Sequence, residues 1–320
     1  MDAFRAALGE LEIPGKIIAT DASEASSALQ LGDVGLVAPR VNDESYLPWL
    51  LDVCRDHDVS LVIPLTDLDL ILLADDRDRF ALQGTTVMIG SGDIIRTCRN
   101  KALTASLLEE SSLPVVRTVT EREFKKAPFY PCFAKPADGS AGVGAARIDN
   151  EDQLRHHISI YSQNLIMQEF LDGSEYTIDV YRKRDGQVVS VVPRQRLQVR
   201  SGEVEKGLAV KNDTLIDMAM SVSDVLDGLW GVFCIQCRMS DTTGPVVFEI
   251  NPRFGGGAPL SIAAGANLPL YLIQEILSLE ISARVGQFTD NLLMLRYDQA
   301  VFSRIDPGVK LAGMDKPIII

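Results

Sequence analysis

Residues 248–257 read Phe-Glu-Ile-Asn-Pro-Arg-Phe-Gly-Gly-Gly, and two apolar residues, Val246 and Val247, come directly before them. The apolar residues in this stretch predict a buried strand. Residues two apart on a strand share a face, so Glu249 and Asn251 should point to the same side. An unpaired glutamate on a buried strand is costly, which weighs against a polar hairpin face that is simply solvated.

The apolar run that precedes this stretch should pair with it as a β-hairpin. With a four-residue loop at 241–244, which is a common loop length, Ser240 would face Pro245. The same register places Gln236 directly opposite Glu249.

Three side chains that carry oxygen atoms therefore converge on one patch: Gln236, Glu249 and Asn251. Hard oxygen donors of this kind suit magnesium bound to nucleotide phosphates. Arg253 comes just beyond them and is placed to hold an anionic oxygen.

A second motif is a lysine followed by a glycine-rich loop, since residues 134–144 read Ala-Lys-Pro-Ala-Asp-Gly-Ser-Ala-Gly-Val-Gly. Glycines leave backbone N–H groups free to approach anionic oxygens, and Lys135 adds a positive charge at the strand edge. Taken alone, this stretch fits an ordinary glycine-rich hairpin equally well. It does not fit a dinucleotide-binding fingerprint, because residues 145–148 are strand-like and that fingerprint opens a helix.

A third motif is residues 167–177, Met-Gln-Glu-Phe-Leu-Asp-Gly-Ser-Glu-Tyr-Thr, where a strand ends, turns and restarts. Backbone groups at Glu169 and Leu171 could read the edge of a purine that lies across this hinge. The carboxylate of Glu175 is placed to accept hydrogen bonds from ribose hydroxyl groups. Without the other motifs, a solvated acidic hairpin would be the better interpretation.

Composition narrows the class of protein. With 320 residues, of which 46% are hydrophobic, the chain can bury large cores and form two or three lobes. It lacks both an apolar run of the roughly 20 residues that a membrane helix needs and the residue order of a signal peptide, so we predict a cytoplasmic protein without a membrane partner. The net charge of -13 argues against a nucleic-acid partner. Five scattered cysteines predict reduced thiols, and the lone pair Cys234 and Cys237 lacks the second pair that a zinc site normally needs.

Short apolar runs alternate with helical patterns in the first hundred residues, which predicts a parallel sheet wrapped by helices. The expected strands are 16–20, 35–38, 60–64 and 86–89, and the expected helices are 46–57 and 67–80. After residue 98, strands begin to pair by hairpins, most clearly around Asp185 and Gly186. We expect the charged stretch 194–212 to be irregular and a helix at 214–229 to follow it.

Taken in this order, the three motifs resemble the ATP-grasp superfamily, and most closely its carbamoyl-phosphate-synthase-like proteins. The resemblance covers nearly the whole chain and implies a fold that is part α/β and part α+β. The domains that it implies are a Rossmann-like pre-ATP-grasp domain at 1–98, an ATP-grasp domain at 99–290 with a small lobe at about 113–168 and a large lobe at about 169–290, and a C-terminal strand and tail at 291–320. Members usually begin with an apolar strand, whereas this chain begins inside the helix that follows. We therefore expect an incomplete N-terminal lobe that lacks its first, central strand.

The resemblance also implies roles for particular residues. The lysines that contact the phosphates of ATP correspond to Lys101 and Lys135. The mobile flap and the adenine and ribose contacts correspond to Gly139, Ser140 and Gly142, and to Glu169, Phe170, Leu171 and Glu175. The magnesium ligands correspond to Gln236, Glu249 and Asn251, and the residue that stabilises the transferred phosphate corresponds to Arg253.

By resemblance, the protein is an ATP- and Mg²⁺-dependent ligase, with Mn²⁺ as an alternative ion, that phosphorylates a small carboxylate and passes its acyl group to an amine or a similar nucleophile. No motif supplies a nucleophilic serine or cysteine, so catalysis should rest on positioning and charge neutralisation. The carboxylate or acyl phosphate has three candidate ligands, which a solvated loop would explain as well: Arg194, Arg196 and Lys206. Asp67 and Asp69 follow a strand where open α/β sheets place ligands, and they are candidates to hold the amine.

Two alternatives stay open. One is carbamate or bicarbonate phosphorylation, as in carbamoyl phosphate synthesis, although that chain is much larger and carries two such modules. The other is a non-catalytic ATP-binding scaffold subunit, against which the full set of predicted metal ligands and Arg253 argues. Whether the chain forms a homodimer is left open.

Overall fold

The computed structural model describes residues 1–139, 142–161, 164–200 and 202–304. The predicted mixture of α/β and α+β elements is confirmed. The chain divides into two compact units, the first built from Met1–Val62, Asp76–Val87 and the described residues from Tyr297 onward, and the second from Ile63–Asp75 and Met88–Arg296. No helix in the described ranges combines the length and the apolar character needed to cross a bilayer.

The first ninety residues contain short strands joined by helices. The elements in chain order are α1 (Asp2–Glu10), β1 (Ile18–Asp21), α2 (Ser27–Leu31), β2 (Val34–Val37), α3 (Tyr46–Asp56), β3 (Leu61–Val62), α4 (Leu70–Ala81) and β4 (Thr86–Val87). Strand β1 pairs with β2 and β3 pairs with β4, both in parallel. Over the described residues these pairs are separate two-stranded sheets.

Helix α3 follows from its apolar spacing. Tyr46, Leu50 and Cys54 recur at every fourth position and are its buried residues, so they form one apolar face. Asp52 and Arg55 pair at 2.7 Å where both side chains are exposed. The predicted helix at 46–57 is therefore confirmed.

The next part of the chain builds a small sheet. Its elements are α5 (Gly92–Arg99), α6 (Lys101–Glu110), β5 (Thr118–Thr120), α7 (Glu121–Phe124), β6 (Cys132–Pro136), β7 (Ala146–Ile148), α8 (Glu151–Ile160) and β8 (Leu165–Glu169). In the described residues the sheet has four antiparallel strands in the order β5-β8-β6-β7. Phe124, Ala134 and Met167 belong to its buried core.

The remaining elements form the larger sheet and the helices around it. They are β9 (Ser174–Arg182), β10 (Val188–Arg200), β11 (Glu203–Ala209), α9 (Asp213–Val225), β12 (Gly231–Ser240), β13 (Gly244–Asn251), α10 (Ala258–Ala263), α11 (Leu268–Ile276) and β14 (Leu293–Leu295). As far as the chain is described, the sheet has six antiparallel strands in the order β13-β12-β9-β10-β11-β14. The predicted hairpin around Asp185 and Gly186 joins β9 to β10.

The prediction of an irregular stretch at 194–212 is wrong, because β10 continues to Arg200 and β11 follows it. The first half of β10 is buried, and its last residues are exposed. Arg194 is buried because it pairs with Asp179 on β9. Strands are predicted from the pattern of apolar residues, and a charged residue interrupts that pattern. The sequence pattern does not show that a partner distant in the chain allows such a residue to be buried in a strand.

The hairpin of β12 and β13 contains the predicted pair, Gln236 opposite Glu249. Its loop is one residue shorter than predicted, since Ser240 pairs with Gly244. A bulge at Phe248 adds one residue to β13 and restores the predicted pairing.

Candidate active site

A cavity of about 570 Å³ lies within the second unit and is lined by residues of both antiparallel sheets. Most residues predicted from the sequence line it: Lys101, Lys135, Gly139, Gly142, Glu169, Phe170, Leu171, Glu175, Arg196, Gln236, Glu249, Asn251 and Arg253. Ser140 lies outside the described residues. Lys206 is exposed on β11 and is not among the described residues that line the cavity, so the structure does not bring it to the site.

The predicted metal ligands stand in adjacent rows across the larger sheet. Glu249 on β13 lies opposite Gln236 on β12, and Gln236 lies opposite Thr177 on β9. Asn251, which is buried, stands in the next row, about 7 Å further along the strand. The three oxygen-bearing side chains therefore share one face of the sheet, as the sequence predicts.

Two buried lysines face the carboxylate of Glu249. The Nζ atoms of Lys101 and Lys135 lie 4.0 and 3.9 Å from Glu249 Oε2. Burial lowers the pKa of Lys135 to about 8, with Glu249 opposing this shift and Lys101 adding to it. Two cations against one carboxylate leave an excess of positive charge in a partly enclosed site, which favours a bound anion.

Backbone contacts connect Lys101 to the glycine-rich loop. Asn100 caps α6 by accepting hydrogen bonds from the first N–H groups of the helix, which fixes Lys101 in the first turn. The Lys101 N–H donates to the Ala137 carbonyl at 3.0 Å, and its Nζ donates to the Gly139 carbonyl at 2.5 Å. Gly142 has a φ of 71°, a left-handed conformation that favours glycine.

The hinge lies at the opposite end of the small sheet from this loop. Glu169 at the end of β8 pairs with Cys132 at the start of β6, whereas the loop follows the end of β6 at Pro136. The two motifs are thus separated by about 13 Å of strand. The Glu169 N–H donates to the Arg117 carbonyl at 3.0 Å, so this N–H is already paired within the sheet and is not available to a ligand.

Glu175 accepts two charge-assisted hydrogen bonds. Arg196 Nη1 donates to Oε1 at 2.6 Å, and Arg238 Nη2 donates to Oε2 at 2.7 Å. Arg196 thus lies beside the predicted ribose contact. Sequence reasoning missed Arg238, although it follows Gln236 by two residues on the same strand and therefore shares its face.

Arg253 forms a two-point ion pair with Asp67. Its Nε and Nη2 donate to the two Asp67 oxygens at 2.9 and 2.6 Å, and its Nη1 donates to the Phe254 carbonyl at 3.0 Å. Arg99 Nη1 lies 3.4 Å from Asp67 as well. The idea that Asp67 holds an amine is corrected, because two guanidinium groups already neutralise this carboxylate.

Arg194 belongs to a buried hydrogen-bond network beside residues 255–257, the glycine turn, at one end of the cavity. Its Nε and Nη2 donate to the Asp179 oxygens at 2.7 and 2.9 Å. Ser261 Oγ and Cys234 Sγ also donate to this carboxylate, at 2.5 and 3.2 Å. A Cβ at Gly257 would overlap with Arg194 Nη1. Arg194 therefore supports the glycine turn, and the solvated-loop interpretation is wrong for it.

The side-chain oxygen atoms of Gln236, Glu249 and Asn251 fit magnesium better than a metal ion that needs several charged ligands. In the described parts of the chain, no three His, Cys, Asp or Glu side chains come together as a metal site. Glu249 supplies one carboxylate, and Gln236 and Asn251 supply amide oxygens. Magnesium is commonly held by one or two carboxylates together with substrate phosphates, so this set is complete only with a nucleotide.

Residues of two antiparallel sheets line one cavity, together with two buried lysines and a Glu-x-Asn strand. This combination is typical of proteins that bind the phosphates of a nucleotide. Residues 161–297 match the family model described as ATP-grasp in the biosynthetic pathway with Ter operon, and residues 1–88 match the PylC-like N-terminal domain. The chain belongs to the ATP-grasp superfamily, which confirms the predicted family and fold class.

Individual relatives agree with this assignment. The alpha-aminoadipate–LysW ligase of Sulfurisphaera tokodaii is 24% identical over 240 residues, which cover 66% of this chain and 81% of that one. The L-amino acid ligase of Bacillus licheniformis has a TM-score of 0.69 at 19% identity, covering 90% of this chain and 74% of that one. The Campylobacter jejuni biotin carboxylase has a TM-score of 0.73 at 14% identity, with 91% and 71% covered. At these identities the solved structures show the fold alone.

Proposed function

We propose that this ATP-grasp protein is an ATP- and Mg²⁺-dependent ligase that activates a carboxylate as an acyl phosphate for attack by an amine. Its class, an ATP-dependent ligase, follows from the family. The observation that carries the proposal is the position of Glu249, within 4.0 Å of both Lys101 and Lys135 and two residues before Asn251. A nucleotide phosphate and its metal would meet at this point.

The ligands that we propose for the metal are Gln236, Glu249 and Asn251. When bound, magnesium supplies charge neutralisation on the transferred phosphate. Lys101 and Lys135, whose Nζ atoms lie within 4.0 Å of Glu249, are proposed to neutralise further phosphate charge, and Glu175 is proposed to accept hydrogen bonds from the ribose. Arg196 and Arg238 must share or release Glu175 when a nucleotide binds.

The chemistry divides into two balanced steps. A carboxylate oxygen of the substrate attacks the γ-phosphorus, the bond from that phosphorus to the β–γ bridging oxygen breaks, and ADP leaves. The amine nitrogen then attacks the acyl carbon, phosphate leaves, and the amine gives up a proton. No thiol of the chain competes as a nucleophile at Cys234 or Cys237, because burial raises the pKa of both.

Arg253 is proposed to hold oxygens of the carboxylate and the acyl phosphate. A guanidinium has five N–H bonds, of which Asp67 accepts two and the Phe254 carbonyl accepts one. Across the described residues, this leaves one N–H on each terminal nitrogen of Arg253 for a ligand. Asp67 also fixes the plane of the guanidinium, which reduces the cost of orienting it at the moment of transfer.

ADP release is the direct test. The protein is incubated with ATP, Mg²⁺ and pooled small carboxylates, amino acids or bicarbonate, with hydroxylamine present to trap acyl phosphates as hydroxamates. ADP and hydroxamate with an organic carboxylate support the proposal. ADP with bicarbonate alone would favour carbamate chemistry, and nucleotide binding without ADP from any pool would favour the scaffold.

A further inference from the structure

Glu203 is a cavity residue that the sequence analysis did not single out. It lies at the tip of the hairpin formed by β10 and β11, opposite Arg200, and it lines the same cavity as Arg253. Its Oε2 contacts the glycine turn so closely that a Cβ at Gly256 would overlap with it. The side chain therefore lies at the end of the cavity where Arg253 and Arg194 are found.

The fold brings this carboxylate to the glycine turn. Two register shifts interrupt the pairing of β10 with β11, on either side of Gln198. Such bulges bend a strand away from its sheet. Arg196 Nη2 then holds the tip by donating to the Gly202 carbonyl at 2.8 Å. The position of Glu203 thus depends on contacts of its own hairpin.

The charged side chains at this end of the cavity differ in whether they already have hydrogen-bond partners. Arg253 and Arg194 each already bind a carboxylate at two points, that of Asp67 and that of Asp179. Within the described parts of the chain, no side chain donates a hydrogen bond to Glu203. At this end of the cavity, Arg253 can donate to a ligand oxygen, while Glu203 can accept from a ligand cation.

We infer that the carboxylate activated here belongs to an amino acid, with Arg253 binding its carboxylate and Glu203 accepting hydrogen bonds from its ammonium group. An amino acid carries both charges within one small molecule, which matches the juxtaposition of the two side chains. A carboxylic acid without the amino group would leave Glu203 with the nearby charges of Arg194 and Arg253 but, among the described side chains, with no hydrogen-bond donor. This inference rests on the proposed function and deepens it by naming the class of acyl donor.

The test compares matched acyl donors in wild type, Glu203→Gln and Glu205→Gln. Three pairs differ only in the amino group: L-alanine and propionate, L-glutamate and glutarate, and L-phenylalanine and 3-phenylpropionate. Hydroxylamine is the only added nucleophile, and hydroxamate and ADP are measured together. Glu205 is the matched control because it lies on the same hairpin, contacts Gln198 and Arg200, and does not line this cavity in its described part.

We expect wild type to prefer at least one amino acid over its partner acid by about tenfold or more in kcat/KM, the scale of one charge-assisted hydrogen bond. Glu203→Gln should remove most of that preference with an unchanged melting temperature, and Glu205→Gln should keep it. Equal use of both members of every pair, or a preference that survives in Glu203→Gln, would overturn the inference and leave the proposed function intact. Absence of ADP and hydroxamate with all six acids and with every pool of small carboxylates and amino acids would overturn both.

Discussion

The guanidinium of Arg253 binds the carboxylate of Asp67 at two points, although 186 residues separate them in the chain. The Asp67 side chain is only 4% exposed and that of Arg253 17%. A two-point pair fixes both the distance and the plane of the guanidinium. The direction in which Arg253 presents its remaining N–H groups therefore depends on a residue near the start of the second unit.

Asp67→Asn should reduce both turnover and stability. The amide keeps the size of the side chain but loses the charge that holds Arg253, and we expect a loss of about 1.5 to 3 kcal/mol in the free energy of unfolding. Urea denaturation measures the stability, and hydroxamate formation measures the activity. Asp75→Asn is the matched control, because its pair with Arg96 is nearly half exposed and should contribute less than about 1 kcal/mol. Equal effects of the two substitutions would contradict a special role for Asp67.

Lys135→Ala should weaken nucleotide binding. One charge-assisted contact to phosphate in a partly closed site contributes roughly 1.5 to 3 kcal/mol, so the dissociation constant of a non-hydrolysable ATP analogue should rise about tenfold or more. Calorimetric titration measures it, with the exposed Lys126→Ala as the control. An unchanged dissociation constant would move the phosphate site elsewhere.

Nucleotide affinity should also fall as the pH rises through about 8. Burial lowers the pKa of Lys135 to about 8, with Glu249 opposing the shift and Lys101 adding to it. Below that pH the lysine is charged and attracts phosphate; above it the free protein loses this charge, so affinity at pH 9 should be lower than at pH 7. The same titration on Lys135→Ala should show little of this dependence. A wild-type affinity that is flat over this range would argue against a lowered pKa.

Glu249→Gln should abolish ADP formation while the protein remains folded. Glutamine retains the size of the side chain, so the hairpin with Gln236 should still form, but the substitution removes the one carboxylate among the three proposed metal ligands and leaves three neutral amides, which bind magnesium too weakly to hold it. The hinge and Glu175 do not involve the metal, so we expect analogue binding to persist and to lose its dependence on Mg²⁺. Calorimetry with and without Mg²⁺ is the measurement, beside the melting temperature and the exposed control Glu280→Gln. A folded mutant with wild-type ADP release would refute the assignment of Glu249.

Substitution by alanine at Gly256 and at Gly257 should change the stability of the protein by different amounts. A methyl group at Gly257 would meet Arg194, which Asp179 holds in the core, whereas one at Gly256 would meet the exposed end of Glu203. Gly257→Ala should therefore cost about 1 to 3 kcal/mol by overpacking, and Gly256→Ala much less. Thermal unfolding of both variants decides this, and a larger loss for Gly256→Ala would contradict the described packing.

The register of β12 and β13 could be predicted only in part from residues that are close together in the chain. The pair Gln236 and Glu249 was predicted with a loop that is one residue too long, and the bulge at Phe248 compensates for that error. Alternation along a strand and pairing across a hairpin are short-range properties, so the face shared by Glu249 and Asn251 followed from sequence spacing. The position of a bulge is not visible at that level, because it is set by packing against the rest of the sheet.

The sequence by itself determined the motifs, their order and the class of fold, because strand alternation, glycine-rich turns and hairpin loops depend on neighbouring residues. Only the tertiary structure decided which charges meet: Arg253 with Asp67, Glu175 with Arg238, and Glu203 with the glycine turn. It also decided that β11 is a strand and that Lys206 lies outside the described cavity lining. Burial and ion pairing depend on segments that are distant in the chain, and the free energy of a buried charge is set by the partner that folding brings to it.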